Sequence, residues 1–286
     1  MKTTEMFDKK MVLSFEVFPP KADAPIETIY KTLDGMKGLE PDFISVTYGA
    51  RGKNNSSRTF RIASDIKRKY RIESMAHLSC VGLTKEDVAG KLAELRTLNI
   101  DNILALRGDI PEGFDGKGDF KYASELIAFI REYGGFHIFA ACYPEGHIES
   151  KSIDEDIHNL KRKVMAGADH LITQLFLDNT YFYAFMERLA SADICVPVEA
   201  GIMPVVNTKQ IKRMVSLCGA TIPQKFITMM DKYGDNPIAM RDAGIAYAID
   251  QIVDLIAHGV HGIHLYTMNN SYIANKIYEA VHSLIS

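Results

Sequence analysis

The chain has 286 residues, 47% of them hydrophobic and 24% charged, which is enough apolar material for a sizeable core. Its 33 basic and 36 acidic residues give a net charge of -3. That excludes the basic excess of a nucleic-acid-binding domain, and no Lys/Arg-rich tract suits an anionic membrane surface. The N-terminal MKTTEMFDKKMVLSF has no apolar signal region, and no apolar run approaches the roughly 20 residues of a membrane span, so a cytoplasmic protein is expected. The four cysteines (Cys80, Cys142, Cys195, Cys218) form no CxxC pair and read as reduced thiols.

Short β-rich runs alternate with helical stretches from end to end. The expected strands are LSFEVF (13–18), FISVTYG (43–49), MAHLSCV (75–81), NILALRG (102–108), HIFAACY (137–143), HLITQLFL (170–177), VPVEAGIM (196–203) and GIHLYTM (262–268). Most are nearly continuous apolar runs, as strands covered on both faces of a parallel sheet should be. A helix is expected from Thr84, with Glu86 and Asp87 in its first turn, and another from Ser152, with an apolar stripe at Ile153, Ile157, Leu160 and Val164. Gly167 stands where that second helix should be capped. Eight strand–helix units imply right-handed crossovers and closure into a barrel. The expected fold is α/β, a single (βα)8 TIM barrel over 1–286, with an open doubly wound sheet as the alternative. No GxGxxG follows the first strand, which counts against that alternative. The long stretch 205–258 between strands seven and eight reads as extra helices over the barrel mouth, with no linker to mark a second domain.

In such a barrel, chemistry sits at the C-terminal ends of the strands. Polar residues expected there are Glu16, Thr47, Tyr48, His77, Ser79, Arg107, Gly108, Asp109, Tyr143, Glu145, His147, Gln174 and Tyr266. Glu16 is the most informative, because a carboxylate between Phe15 and Val17 should be costly to ionise. A raised pKa would make it a general acid; pairing with a Lys or Arg across the barrel would make it structural. Gly108 would let the backbone approach a ligand, and Arg107 with Asp109 could instead form a loop ion pair. Asp156, Asn159 and Lys163 share one face of the second helix, beside Arg162. That face could hold a pyrophosphate or ribose, although a solvated surface is the commoner outcome. HGVHGIH (258–264) is not HExxH and reads as a helix end plus a strand residue, so no metal is expected. P-loop, GxSxG and kinase motifs do not occur.

The segments SFEVFPPK, DFISVTYGA, AHLSC, ALRGD, YASELI, AACYPEGH, NLKRKVMAGAD, ITQLFLD, GIMPV and HLYTMN, in this order, resemble bacterial methylenetetrahydrofolate reductases over almost the whole chain. The resemblance implies an FAD-dependent enzyme that reduces 5,10-methylenetetrahydrofolate to 5-methyltetrahydrofolate, with hydride passing from NAD(P)H through the flavin. It assigns the catalytic acid to Glu16, and to Asp109 a role beside the flavin. It assigns FAD contacts to Thr47, Tyr48, Ala50, His77, Arg107, Gly108, Asp109, Ala123, Tyr143, His147, Asp156, Asn159, Arg162 and Lys163. Folate or nicotinamide contacts fall on Glu16, Thr47, Asp109, Gln174, Met230 and Tyr266. The resemblance thus reverses the solvated reading of the Asp156–Lys163 face. A homo-oligomer is implied. The chain departs from many relatives at Met230, where they carry phenylalanine, and at Asn270, where they carry arginine. These departures leave room for a flavin subunit fed by a protein electron donor. With no eukaryotic-type regulatory segment after Ser286, inhibition by adenosylmethionine is not expected. A pterin-binding transferase is a further alternative, and it predicts a colourless protein.

Overall fold

All eight apolar runs form strands in the computed structural model, which describes residues 4–7, 9–21, 23–48, 56–110, 113–114 and 116–285. The strands are β1 (Val12–Val17), β2 (Phe43–Val46), β3 (Glu73–Ser79), β4 (Asn102–Leu106), β5 (His137–Cys142), β6 (His170–Thr173), β7 (Val198–Ile202) and β8 (Gly262–Tyr266). They pair in sequence order, all parallel, and β8 returns to β1 to close the barrel. The expected strands run past several of these ends because their last residues leave the ladder for the mouth. Gly108 turns away with φ +87°, while Gln174 still donates its amide to the Cys142 carbonyl at 2.7 Å.

The helices are α1 (Thr4–Phe7), α2 (Glu27–Gly35), α3 (Ser56–Asp65), α4 (Lys85–Thr97), α5 (Ala123–Tyr133), α6 (Ile153–Met165), α7 (Asn179–Ser191), α8 (Thr208–Cys218), α9 (Gln224–Tyr233), α10 (Pro237–Ala257) and α11 (Ser271–Ile285). A π-helical stretch, Ile66–Tyr70, continues α3. Thr84 and Asp87 form a capping box at the start of α4, Ser152 caps α6, and Asn236 caps α10 ahead of Pro237. Gly167 follows the α6 C-cap with φ +116°, the left-handed geometry that ends a helix. Between β7 and β8, helices α8 and α9 form the expected excursion. Ile211, Phe226 and Met240 pack with Leu175, Leu177, Met203 and Val205 at the mouth.

Strand side chains alternate inward and outward. Inside the barrel, Val12, Phe43, Met75, Leu104, Phe139 and Ile172, one from each of β1 to β6, form an apolar cluster with Met6. Phe139 lies 5.6 Å from Phe43 and 4.8 Å from His170 between ring centroids, and Phe7 of α1 lies 4.4 Å from His170. Two residues further along β1 to β3 the inward positions become polar, as Ser14, Ser45 and His77, and Ser14 is in register with His264 on β8. The barrel floor is therefore dry, and chemistry is confined to the upper layers. Phe139→Ala should cost about 3–5 kcal/mol of unfolding free energy by opening a cavity in the floor. Urea denaturation tests this; a loss under about 1 kcal/mol would mean that the floor is not close-packed.

Candidate active site

Glu16 stands at the end of β1 with 17% of its side chain exposed. Its Oε2 lies 3.4 Å from His264 Nε2 and 3.4 Å from His77 Nε2. The His264 contact has hydrogen-bond geometry, whereas the buried His77 Nε2 has no hydrogen-bond partner. The expected rise in the Glu16 pKa is not found. Burial alone would raise it, but the His264 hydrogen bond, the two imidazoles and Ser45 together hold the carboxyl below its ordinary range. Nor is the partner a lysine or arginine, as the structural alternative required. Burial in turn pushes His77 down to about 4, so it stands neutral beside Glu16.

The rim is fixed from β8. Thr267 donates its hydroxyl to the Glu16 carbonyl at 2.6 Å, and Asn269 exchanges two bonds with the Phe18 backbone, at 3.0 and 2.8 Å. Met268 and Asn269 adopt positive φ (51° and 54°) to make that turn. Asn270, the departure noted above, accepts from the Ile273 amide at the head of α11. Tyr266 donates to the Thr173 carbonyl at 2.7 Å, and burial holds its hydroxyl neutral. A Cβ at Gly201 would lie 2.3 Å from that carbonyl, so only glycine allows the crossing.

A groove of about 380 Å³ runs between the ends of β4 and β5 and helices α5 and α6. Eight residues expected to hold FAD line it: Arg107, Ala123, Tyr143, His147, Asp156, Asn159, Arg162 and Lys163. Lys163 Nζ donates to the Ala141 carbonyl at 2.8 Å and lies 5.6 Å over the Tyr143 ring; burial lowers its pKa. Asp156 accepts from Ser150 at 3.1 Å, and burial raises its pKa. Arg107 grips Glu149 through two bonds, at 2.6 and 2.7 Å, so the loop ion pair exists but its partner is not Asp109. Asp109 is exposed.

The other expected residues do not line the groove. Thr47 donates its amide to the Val17 carbonyl at 3.0 Å. The Tyr48 hydroxyl is buried without a hydrogen-bond partner. Gly108 lies against Ser79, whose Oγ would be 1.9 Å from an added Cβ. Gln174 accepts from the Leu175 amide at 2.9 Å, and Met230 on α9 packs against the mouth cluster. Ala50 lies outside the described residues. Reasoning from sequence missed Ser14, Ser45 and Glu199 and took His264 for an ordinary strand residue. A carboxylate inside VPVEAGIM was the same signal that drew attention to Glu16.

A closed parallel barrel with a carboxyl at its mouth and a groove lined by lysine, arginine and aspartate defines a (βα)8-barrel enzyme. The family model for methylenetetrahydrofolate reductase matches residues 2–282, and the chain belongs to that family. It is 37% identical to the 5,10-methylenetetrahydrofolate reductase of Escherichia coli (strain K12), over 95% of this chain and 90% of that protein. It is 36% identical to the enzyme of the same name from Pectobacterium carotovorum subsp. carotovorum, over 93% of this chain and 88% of that protein. Among solved structures, a Clostridium thermocellum protein titled as binding two copies of 5-methyl-5,6,7,8-tetrahydrofolic acid has the same fold. It matches at TM-score 0.68 and 14% identity over 99% of both chains. No helix among the described residues is long and apolar enough to cross a membrane.

The low pKa of His77 has a consequence for stability. Its folded-state pKa lies below the ordinary 6.5, so its contribution is present above pH 6.5 and is lost as pH falls toward 4. Glu199, pushed up to about 7 by burial, acts with the opposite sign between pH 4.5 and 7. The two therefore mask each other in the wild type. His77→Asn removes only the first, so the variant should gain about 2 kcal/mol relative to wild type between pH 7 and pH 4.5. Parallel stability curves for the two proteins would show that His77 is not held neutral.

Proposed function

We propose that the protein reduces 5,10-methylenetetrahydrofolate to 5-methyltetrahydrofolate, with FAD as its redox group and NAD(P)H as hydride source. The observation that carries this reading is a carboxyl at the end of β1, Glu16, in the same barrel as a groove at the ends of β4 and β5 whose lining suits a dinucleotide. Residues of the groove and of the neighbouring strand ends suit FAD in three ways. Lys163 and Arg162 offer positive charge and Asn159 an amide for phosphate and ribose. Tyr48 has a buried hydroxyl without a hydrogen-bond partner. Gly108 keeps the backbone free of a side chain beside Ser79.

FAD, when bound, supplies the hydride chemistry, taking hydride from NAD(P)H and giving it to the folate-bound methylene carbon. The chain's own residues do the rest. Arg162, Asn159 and Lys163 bind the phosphates and ribose, and Arg107 exchanges Glu149 for the ligand. Glu16 in its protonated form gives a proton to N10 of the folate, so that the methylene–N10 bond can break. Its low proton affinity in the open mouth is an obstacle that covering removes. A ring stack over the 17% exposed edge strips the remaining water and drives the carboxyl toward its neutral form. Thr47 and Gln174 orient the folate, Met230 and Tyr266 pack against it, and Asp109 favours cationic character at the reacting end.

The Met230 and Asn270 departures support a second reading, in which the same flavin site is fed by a protein electron donor. An anaerobic visible spectrum separates the two. A flavin band bleached by NADH and restored by methylenetetrahydrofolate is expected. A band that NADH leaves intact, but dithionite and then folate cycle, favours the protein donor. No band after adding FAD defeats both. Glu16→Gln should keep the bleaching by NADH and slow the return with folate by about 100-fold or more. If both half-reactions survive, Glu16 is not the acid. Lys163→Met should weaken FAD binding roughly 10- to 100-fold, as expected for a lost charge-assisted contact. Unchanged affinity in fluorescence titration would remove Lys163 from the flavin site.

A further inference from the structure

Glu199 has no part in the chemistry so far, yet it is the most enclosed carboxyl in the barrel. It lies on β7 with its side chain fully buried. Its Oε1 is 2.7 Å from Ser14 Oγ, and its Oε2 has no hydrogen-bond partner. Ser14 Oγ is 2.6 Å from His264 Nδ1, and His264 Nε2 is 3.4 Å from Glu16 Oε2. Two side chains on neighbouring strands, Ser14 and His264, thus link two carboxyls through the barrel interior. From β1, β8 and the segment before β2, the groups that act on Glu199 are Ser14, His264 and Asp42. Those that act on Glu16 are Ser45, His77 and His264, from β2, β3 and β8.

With His264 neutral, proton counting leaves this chain two self-consistent arrangements; the state with both carboxyls ionised and His264 doubly protonated has the same proton count and lies between them. The Ser14 hydroxyl has one proton and neutral His264 has one. In the first, Glu199 is protonated and donates to Ser14, Ser14 donates to His264 Nδ1, and His264 Nε2–H donates to ionised Glu16. In the second, Glu16 is protonated and donates to His264 Nε2, His264 Nδ1–H donates to Ser14, and Ser14 donates to ionised Glu199. Each holds one carboxylate and one carboxyl, so passing between them moves no net charge into or out of the barrel.

We propose that Glu199 stores the proton that Glu16 delivers, and that Ser14 and His264 relay it. The inference rests on the reaction proposed above. In the relay the Glu199 O–H bond breaks as a Ser14 O–H forms, and the former Ser14 proton moves to His264 Nδ1. The His264 Nε2 proton then moves to Glu16. Glu16 gives its proton to the folate nitrogen, and Glu199 is left as the carboxylate until solvent at the open mouth returns a proton through the same chain. The open enzyme rests in the first arrangement, in keeping with burial pushing Glu199 up to about 7 while Glu16 is held low. Covering the mouth desolvates Glu16 but not Glu199, which is already dry, and draws the proton upward.

Two measurements test the relay. In the ligand-free wild type labelled with 15N-histidine, His264 should carry its proton on Nε2 at pH 6. A proton on Nδ1 would place the acid on Glu16 already and overturn the proposal. In single-turnover reoxidation of the reduced holoenzyme by methylenetetrahydrofolate, the wild-type rate should fall above about pH 7. Glu199→Gln should slow the step at least ten-fold at pH 6.5 and lose that limb. Ser14→Ala, which keeps the stored proton but breaks its path, should slow it comparably. Melting curves and FAD content identify folded variants. Folded Glu199→Gln within two-fold of wild type from pH 6 to 8 overturns the relay. A wild type that folate does not reoxidise at all instead overturns the proposed reaction, and the tautomer still reports where the proton rests.

Discussion

A closed barrel leaves its inward-facing polar groups no bulk water to fall back on, so each must find its partner on another strand. This protein places a serine, a glutamate and two histidines in the layer where many barrels carry branched apolar residues. The layer is tolerable because the groups answer one another: Ser14 stands between Glu199 and His264, and His264 between Ser14 and Glu16. Parallel pairing fixes those relations. Ser14 is in register with His264 and Glu16 with Tyr266, so a shift of one residue on either strand would take apart the whole cluster. The apolar floor beneath it, centred on Phe43 and Phe139, separates the cluster from the lower end of the barrel.

The rim is held as firmly as the interior. Thr267 and Asn269 tie the chain leaving β8 to the backbone of Glu16 and Phe18, so the acid's main chain cannot drift with the loop. Tyr266 reaches over Gly201 to the Thr173 carbonyl, locking β8 across β7 to β6. The groove is built differently, from a helix face and two strand ends. Its Arg107–Glu149 pair, bidentate but open to solvent on the Glu149 side, can be exchanged for a ligand. Rigid acid and exchangeable groove suit a site where one group must be positioned and another bound and released.

How far sequence alone reached depended on whether the deciding neighbours were local. Strands, caps and the α8–α9 excursion were visible because apolar runs, Thr84, Ser152 and Gly167 act over a few residues. The α6 face was visible as periodicity, but its burial was not, since Lys163 is buried by reaching the Ala141 carbonyl on β5. Glu16 stood out as a carboxylate in an apolar strand. The direction of its pKa did not, because that is set by His77 and His264, which lie 61 and 248 residues away in the chain. Glu199 gave the same local signal as Glu16, and only its register against Ser14 and His264 gives it meaning. Strand order was inferable from connectivity, but depth within the barrel was not.

The direction of the Glu16 pKa also bears on how one carboxyl can serve two situations. An acid kept permanently neutral by burial would need an apolar pocket, and that pocket would not fit a charged, hydrogen-bonding substrate. An acid ionised in water would arrive without its proton. Placing Glu16 at the boundary, with imidazoles below and an open edge above, makes its proton affinity depend on occupancy of the mouth. The edge is ionised and hydrated when open and costly to keep charged when covered. Two carboxyls in different surroundings, joined by a serine and an imidazole, then divide the work in the proposed relay: the dry one holds the proton and the wet one presents it. Burial favours the neutral form of Glu199, and Ser14 gives its proton a path out.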